Sequence, residues 1–266
     1  MIIKTLAENT ALTEEYACEH GLSLYIETEN HKLLFDTGQS DLFIRNAKTM
    51  GVDLSQVDTV VISHGHYDHG GGLEYFLAIN DHAAIYINEH AFEPHYGDTQ
   101  NNIGLQKELL NNGKIILTGD HLPIDDELSL FTFNKEPRPF FMSSFGLTVM
   151  REKELCPDDF THEQYLIIRD GDKSVLISGC SHKGILNIMR WTMSYQPYVV
   201  VGGFHLMKLD SDSSNSVVLD KMAKELMLYD AKFFTCHCTG QQQYQYLKKS
   251  MKGKLNYLSA GQTVTL

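Results

Sequence analysis

The sequence has little of what marks a secreted, membrane-embedded or nucleic-acid-binding chain. Its five cysteines (Cys18, Cys156, Cys180, Cys236 and Cys238) are odd in number and widely scattered. That excludes a disulfide framework and suits a reducing compartment. No run approaches the roughly 18 continuous apolar residues of a membrane helix. No block of lysine or arginine interrupts a formal charge of −12; without a basic surface to displace counterions, nucleic acid is not an expected partner. The opening MIIKTLAENTAL lacks the basic stretch and apolar core of a signal peptide, so the cytoplasm is the expected location. Prolines number only 6, and three of them fall within residues 134–162.

What remains is an ordinary folded composition, 42% hydrophobic with 20 glycines in 266 residues. No fixed-period repeat and no linker-like shift in composition divides it, so a single domain over 1–266 is expected. Strand-like runs come first (MIIKTLA, GLSLYIET, HKLLFDTG), followed by a helix over SDLFIRNAKTMG with Ser40 as N-cap and Gly51 as stop. VDTVVISHGH reads as a buried strand, GLEYFLAIN as a helix and AAIYINE as a strand. Residues 134–162 show no clean period and read as a long loop, a lid over a site. Beyond it strands and helices alternate: EQYLIIRDG, KSVLISGC, KGILNIMRWTMS, YVVVGGFHL, SNSVVLDKMAKELMLYD, AKFFTCHC and GQQQYQYLKKSMKG. Two mixed sheets packed face to face with helices outside suit that order, an α+β class.

The 13 histidines exceed what packing requires and point to metal chemistry. SHGHYDHGGG, residues 63–72, concentrates the signal. On an extended strand end, side chains two apart project to the same side. His64 and His66 therefore offer imidazoles to one ion at the usual ~2.0–2.1 Å. Asp68 and His69 follow the bend and reach a second ion. The bland reading is a polar surface turn. Four ligand-type residues in this order, between an apolar strand and three glycines, favour the metal.

HGHYDH resembles the H-x-H-x-D-H signature of the metallo-β-lactamase superfamily, whose fold is a four-layer αββα sandwich with a one- or two-metal site between the sheets. LLFDTG also matches, with Asp36 at the acidic position that supports the ligand turn. FDTGQSDLFIRNAKTMGVDLSQVDTVVISHGHYDHGGGL, SGCSHKGI, GGFHL and CHCTG together resemble one branch. That branch holds the dihydropterin ribofuranosylaminobenzene phosphate synthase and related metal-dependent hydrolases. The matches run from about residue 20 to 262.

The resemblance implies the rest of the ligand set. His237, at the end of the apolar run KFFT, fills the last histidine position beside Asp68 and His69. A Cys-His-Cys knuckle is the competing reading, but strand alternation puts Cys236 and Cys238 opposite His237, and there is no second cysteine pair. VLISGCSHKGI departs from the superfamily, with Cys180 where most members carry a bridging aspartate. Zinc accepts sulfur, so Cys180 is a candidate bridging ligand, or else a buried apolar residue. His182 is the candidate third histidine for the His64/His66 ion, with His162 and then His121 in reserve. His205, after two glycines, either contacts substrate and donates a proton or merely caps its strand. His20, His31, His82, His90 and His95 show no partner pattern and read as solvated or packed.

Two divalent ions about 3.5–4 Å apart acidify water and clamp a developing oxyanion. Zinc is the first expectation, and manganese or iron also suit such ligands. Asp68 and His205 are the expected catalytic groups, with Asp68 both ligand and proton acceptor. The expected function is hydrolysis of a small molecule, a phosphorylated one included, with Arg138 and Arg151 as phosphate contacts. The alternatives are a pterin-linked transferase, with Phe140 and Phe141 stacking on the pterin, and a non-enzymatic metal sensor. The intact histidine turn counts against the sensor.

Overall fold

The structure is a computed structural model that describes residues 1–209 and 213–266. The chain divides into two compact units. The first comprises Met1–Gly119, Gly146–Gln164 and Ser259–Leu266, the second Asp120–Phe145 and Tyr165–Leu258. In chain order the strands begin β1 (Ile2–Ala7), β2 (Ser23–Glu27), β3 (Lys32–Phe35), β4 (Thr59–Ile62), β5 (Ala84–Asn88), β6 (His95–Tyr96), β7 (Ile115–Thr118), β8 (His121–Pro123) and β9 (Leu128–Phe131). They continue β10 (Thr148–Arg151), β11 (Glu154–Pro157), β12 (Tyr165–Asp170), β13 (Lys173–Ile177), β14 (Pro197–Val201), β15 (Lys232–Thr235), β16 (Leu255–Tyr257) and β17 (Thr263–Thr265). The helices are α1 (Leu42–Thr49), α2 (Tyr67–Gly70), α3 (Leu73–Leu77), α4 (Ile185–Trp191), α5 (Ser213–Leu226) and α6 (Gln241–Met251).

Each unit is built on one seven-stranded mixed sheet. The first unit's order is β17-β1-β2-β3-β4-β5-β7 and the second's is β16-β15-β14-β13-β12-β9-β8. In the first, β3, β4, β5 and β7 run parallel; in the second, β13, β14, β15 and β16 do. Parallel strands are buried on both faces and read as unbroken apolar runs. TVVI of β4 and the VLI that ends β13 are buried throughout. A fully buried Val or Ile contributes about 1.5–3 kcal/mol, so these short strands anchor their sheets. Within each unit, ligand-type residues follow the ends of the parallel strands.

Helix α1 buries Leu42, Phe43, Asn46 and Ala47. Asn46 is accommodated because its amide donates to the carbonyls of Leu6 and Ala17 at 2.7 and 2.8 Å, while its oxygen accepts the Ala17 N–H at 3.1 Å. The N-cap is Asp41 rather than Ser40, although the Ser40 hydroxyl accepts the Leu42 N–H at 3.1 Å. Gly51 stops the helix in a left-handed conformation, φ 68°.

Residues 134–162 are not one irregular loop. Residues 134–145 lie in the second unit, where the Trp191 indole donates to the Pro137 carbonyl at 3.0 Å and Asn187 brackets the Phe140 backbone at 2.7 and 3.0 Å. Further on, β10 and β11 form a hairpin that joins β6 in a three-stranded sheet of the first unit. Arg151 of β10 is no phosphate arm. Its guanidinium donates to Glu93 at 2.9 Å, to both Asp159 oxygens at 3.0 Å and to the Thr161 hydroxyl at 3.2 Å.

That cluster is pH-sensitive. Burial alone would raise the Asp159 carboxyl, but Arg151 and Thr161 outweigh it and hold the group down at about 2. A carboxyl depressed on folding stabilises in full above its unfolded value, about pH 4, and the contribution is lost as pH falls toward 2. Arg151→Met is expected to cost about 1 kcal/mol at neutral pH, since the groups are partly exposed. Urea unfolding at a series of pH values should show the gap from the wild type closing below about pH 4; a constant gap would mean the loss is packing, not charge.

Candidate metal centre

The first unit carries Asp36 directly after β3 and the histidine turn directly after β4. Asp36 is completely buried in a left-handed conformation, φ 59°. Its Oδ1 accepts the Ser63 N–H at 2.7 Å, and its Oδ2 accepts the Ser63 hydroxyl at 2.8 Å. The same Oδ2 lies 2.6 Å from His69 Nδ1. Beside a carboxylate that nitrogen keeps its proton, so the neutral His69 ring carries its lone pair on Nε2. The Ser63 oxygen, having given its proton to Asp36, accepts from His64 Nδ1 at 2.8 Å. His64 is thereby set in the same tautomer. One carboxylate fixes two imidazoles as Nε2 donors, the arrangement that metal-binding histidines require.

His64 and His66 have ring centroids 4.5 Å apart, and His64 and His69 4.1 Å. Asp68 Oδ2 lies 3.7 Å from His69 Nε2 and 3.2 Å from Nε2 of the half-exposed His20. Burial, and then the neighbouring His162 and His95, push His66 well below the ordinary imidazole range. It is therefore neutral at neutral pH, the form that binds metal. The residue between the two histidines has to be glycine: a Cβ on Gly65 would lie 2.2 Å from the Ala91 carbonyl oxygen.

Sequence reasoning missed the group behind His66. His66, His95, Asp158 and His162 each offer a donor atom, all within 4.8 Å of one another, and all four are buried. Burial alone would raise Asp158, yet hydrogen bonds from His162 and His95 hold it well below the carboxylate range. Asp158 and His162, four apart, carry a faint signal; His95, 63 residues from Asp158, carries none. His20, His31 and His90 also have partners: Asp68, Asp58 at 3.1 Å and Glu93 at 2.8 Å. The reserve residue His121 sits exposed on β8 of the second unit, stacked on Phe131 at 4.2 Å.

The second unit carries its own set after β13, β14 and β15. Donor atoms of Cys180, His182 and His205 lie within 4.8 Å of one another, as do those of Cys180, His237 and Cys238. The His182 and His205 ring centroids are 4.1 Å apart. Strand alternation does not separate His237 from Cys238, because β15 ends at Thr235 and His237–Thr239 is a 3-10 turn with His237 at φ 48°. Gly203 makes room for that turn; a Cβ there would meet the Cys238 sulfur at 2.3 Å.

The donor chemistry of both units fits divalent metal. His64 and His69 are held as Nε2 donors, His66 is neutral, and His205 Nδ1 is buried without a hydrogen-bond partner among the described residues. Asp36→Asn keeps the shape but offers His69 a weaker or wrongly protonated neighbour. We expect zinc affinity about 10- to 100-fold lower, as for other supporting carboxylates, with an unchanged circular dichroism spectrum. Chelator competition measures it, and wild-type affinity would refute the role of Asp36.

Comparison with known proteins agrees with this chemistry. The family model of the metallo-beta-lactamase superfamily matches residues 17–225. The 7,8-dihydropterin-6-methyl-4-(beta-D-ribofuranosyl)-aminobenzene-5'-phosphate synthase of Methanocaldococcus jannaschii is 28% identical over 292 residues, covering 98% of this chain and 95% of that protein. An uncharacterized protein of the same organism is 29% identical over 246 residues, 90% of this chain and 91% of the other. Among solved structures, Tm1679, described as a metal-dependent hydrolase of the beta-lactamase superfamily, superposes with a TM-score of 0.85 at 29% identity, covering 100% of this chain and 99% of that one. With its two large mixed sheets and its helices, this α+β chain has the metallo-β-lactamase fold and belongs to the metallo-beta-lactamase superfamily.

Proposed function

We propose that the protein is a metal-dependent hydrolase of a small phosphorylated ester, working with two divalent ions, zinc first. The observation that carries the reading is the Asp36 carboxylate, which sets His64 and His69 as nitrogen donors through Ser63 Oγ and His69 Nδ1. The residues that would hold the ions are His64, His66, Asp68, His69, His182 and His237, with Cys180 as a candidate sulfur ligand. Such ions, when bound, supply Lewis acidity and lower the pKa of water toward neutrality.

The remaining work falls to the chain's own groups. Asp68 orients the attacking water and accepts its proton, and His20 Nε2, 3.2 Å away on a half-exposed ring, is placed to take that proton onward. His205 donates to the leaving group through an imidazole whose Nδ1 has no hydrogen-bond partner among the described residues. The formal charge of −12 supports a small substrate over a polynucleotide. A phosphorylated one is supported by the relative whose name gives a 5'-phosphate product.

That relative also supports a second reading, a pterin-linked transferase, because the similarity runs over nearly the full length of both chains. Phe141, 92% exposed, offers an aromatic face for such a ring. A screen of small phosphoesters with zinc-loaded protein, run beside a pterin condensation assay, separates the two. Turnover of phosphoesters is expected, and condensation without hydrolysis would favour the transferase.

Asp68→Asn tests the centre itself. Loss of proton acceptance alone lowers rates by ~10²–10⁴-fold, and loss of a charged ligand adds to it. The variant should stay folded, hold about one metal by elemental analysis and lose most activity. Two bound metals and wild-type turnover would refute the role of Asp68.

A further inference from the structure

His95 is absent from the ligand set proposed above, yet its surroundings are those of a ligand. It opens β6, pairs with Val149 of β10 and is completely buried. Its Nδ1 lies 2.9 Å from Asp158 Oδ2. Against a carboxylate that nitrogen is the protonated one, which leaves the lone pair of the neutral ring on Nε2. That Nε2 is buried and has no hydrogen-bond partner among the described residues. An unsatisfied buried acceptor is unfavourable, and an electrophile beside it removes the penalty.

His162 differs in this respect. Its Nδ1 accepts the Gly65 N–H at 2.8 Å, so its proton is on Nε2, which faces Asp158 Oδ2 at 3.3 Å. Both of its nitrogens serve the protein. Asp158 in turn is held by the Phe160 N–H on Oδ1 at 2.7 Å. The sequence of contacts, Gly65 to His162 to Asp158 to His95, ties the histidine turn to one imidazole whose outer nitrogen has no hydrogen-bond partner among the described residues.

Ring spacing is compatible with a shared ion. Two imidazoles on one tetrahedral ion at ~2.0–2.1 Å hold their centroids about 5 Å apart. His66 stands 5.6 Å from His95 and 5.3 Å from His162, so spacing admits either ring and the hydrogen bonds choose His95. His95 and His162, at 4.0 Å and 40°, are packed against each other instead.

We infer that His95 is a metal ligand through Nε2, sharing an ion with His66, and that Asp158 and His162 are positioning residues that fix its tautomer. The inference rests on the metal reading under Proposed function and adds one nitrogen to that ligand set. Carboxylate–histidine–metal triads of this kind are the usual way a ligating ring is oriented.

The test uses the full chain, stripped of metal and titrated with cobalt(II) and zinc, in the wild type, H95Q and D158N. Asp158→Asn leaves the His95 ring in place, so zinc affinity should fall about 10- to 100-fold with the cobalt absorption band retained. His95→Gln removes the donor, so affinity should fall at least as far and the cobalt band should shift or weaken. Wild-type affinity and an unchanged cobalt band in a folded H95Q would overturn the inference and leave the metal reading standing. A wild-type chain that takes up neither ion would overturn both. If H95Q does not fold by circular dichroism, D158N decides, and wild-type affinity there overturns the inference.

Discussion

The first unit depends on one buried carboxylate. Asp36 has no solvent to stabilise its charge, and an uncompensated carboxylate in that position would cost several kcal/mol. Three donors offset it: the Ser63 N–H, the Ser63 hydroxyl and His69 Nδ1–H. The same bonds set the tautomers of His64 and His69. The stability of the loop after β4 and the chemistry of its histidines are therefore one set of contacts, and neither can be altered alone.

The two units solve the placement problem in the same way. Parallel strands made of unbroken apolar residues end together, and the short loops beyond them carry the polar groups. β3 and β4 deliver Asp36 and the histidine turn; β13, β14 and β15 deliver Cys180 with His182, His205 and His237. Apolar burial positions the strand ends, and the loops then need only a few residues each to aim a side chain.

This division explains what the sequence disclosed. β4 and its turn were legible because a β-branched run leads straight into HGHYDH, two signals that need no distant partner. The β10–β11 hairpin was not. Its two-residue turn is Glu152–Lys153, with φ of 51° and 70°, where a sequence reader looks for Asn-Gly. Its strands are also largely half-exposed, so no alternation stands out. His95 and Asp158 were illegible for a different reason, since their pairing exists only once β6 and β10 have joined. Cys238 was misjudged because alternation was carried past Thr235, where the chain has already turned.

Asp36, Ser181, His205 and His237 all sit at left-handed φ, 59°, 58°, 52° and 48°. Each such residue other than glycine carries roughly 1–2 kcal/mol of backbone strain. The side chains are thus aimed before any ion arrives, at the expense of the fold. Drift at these positions is one-sided, because glycine would relax the backbone while erasing a ligand or its neighbour. Selection for thermal robustness alone would enrich sturdier chains that have lost their chemistry.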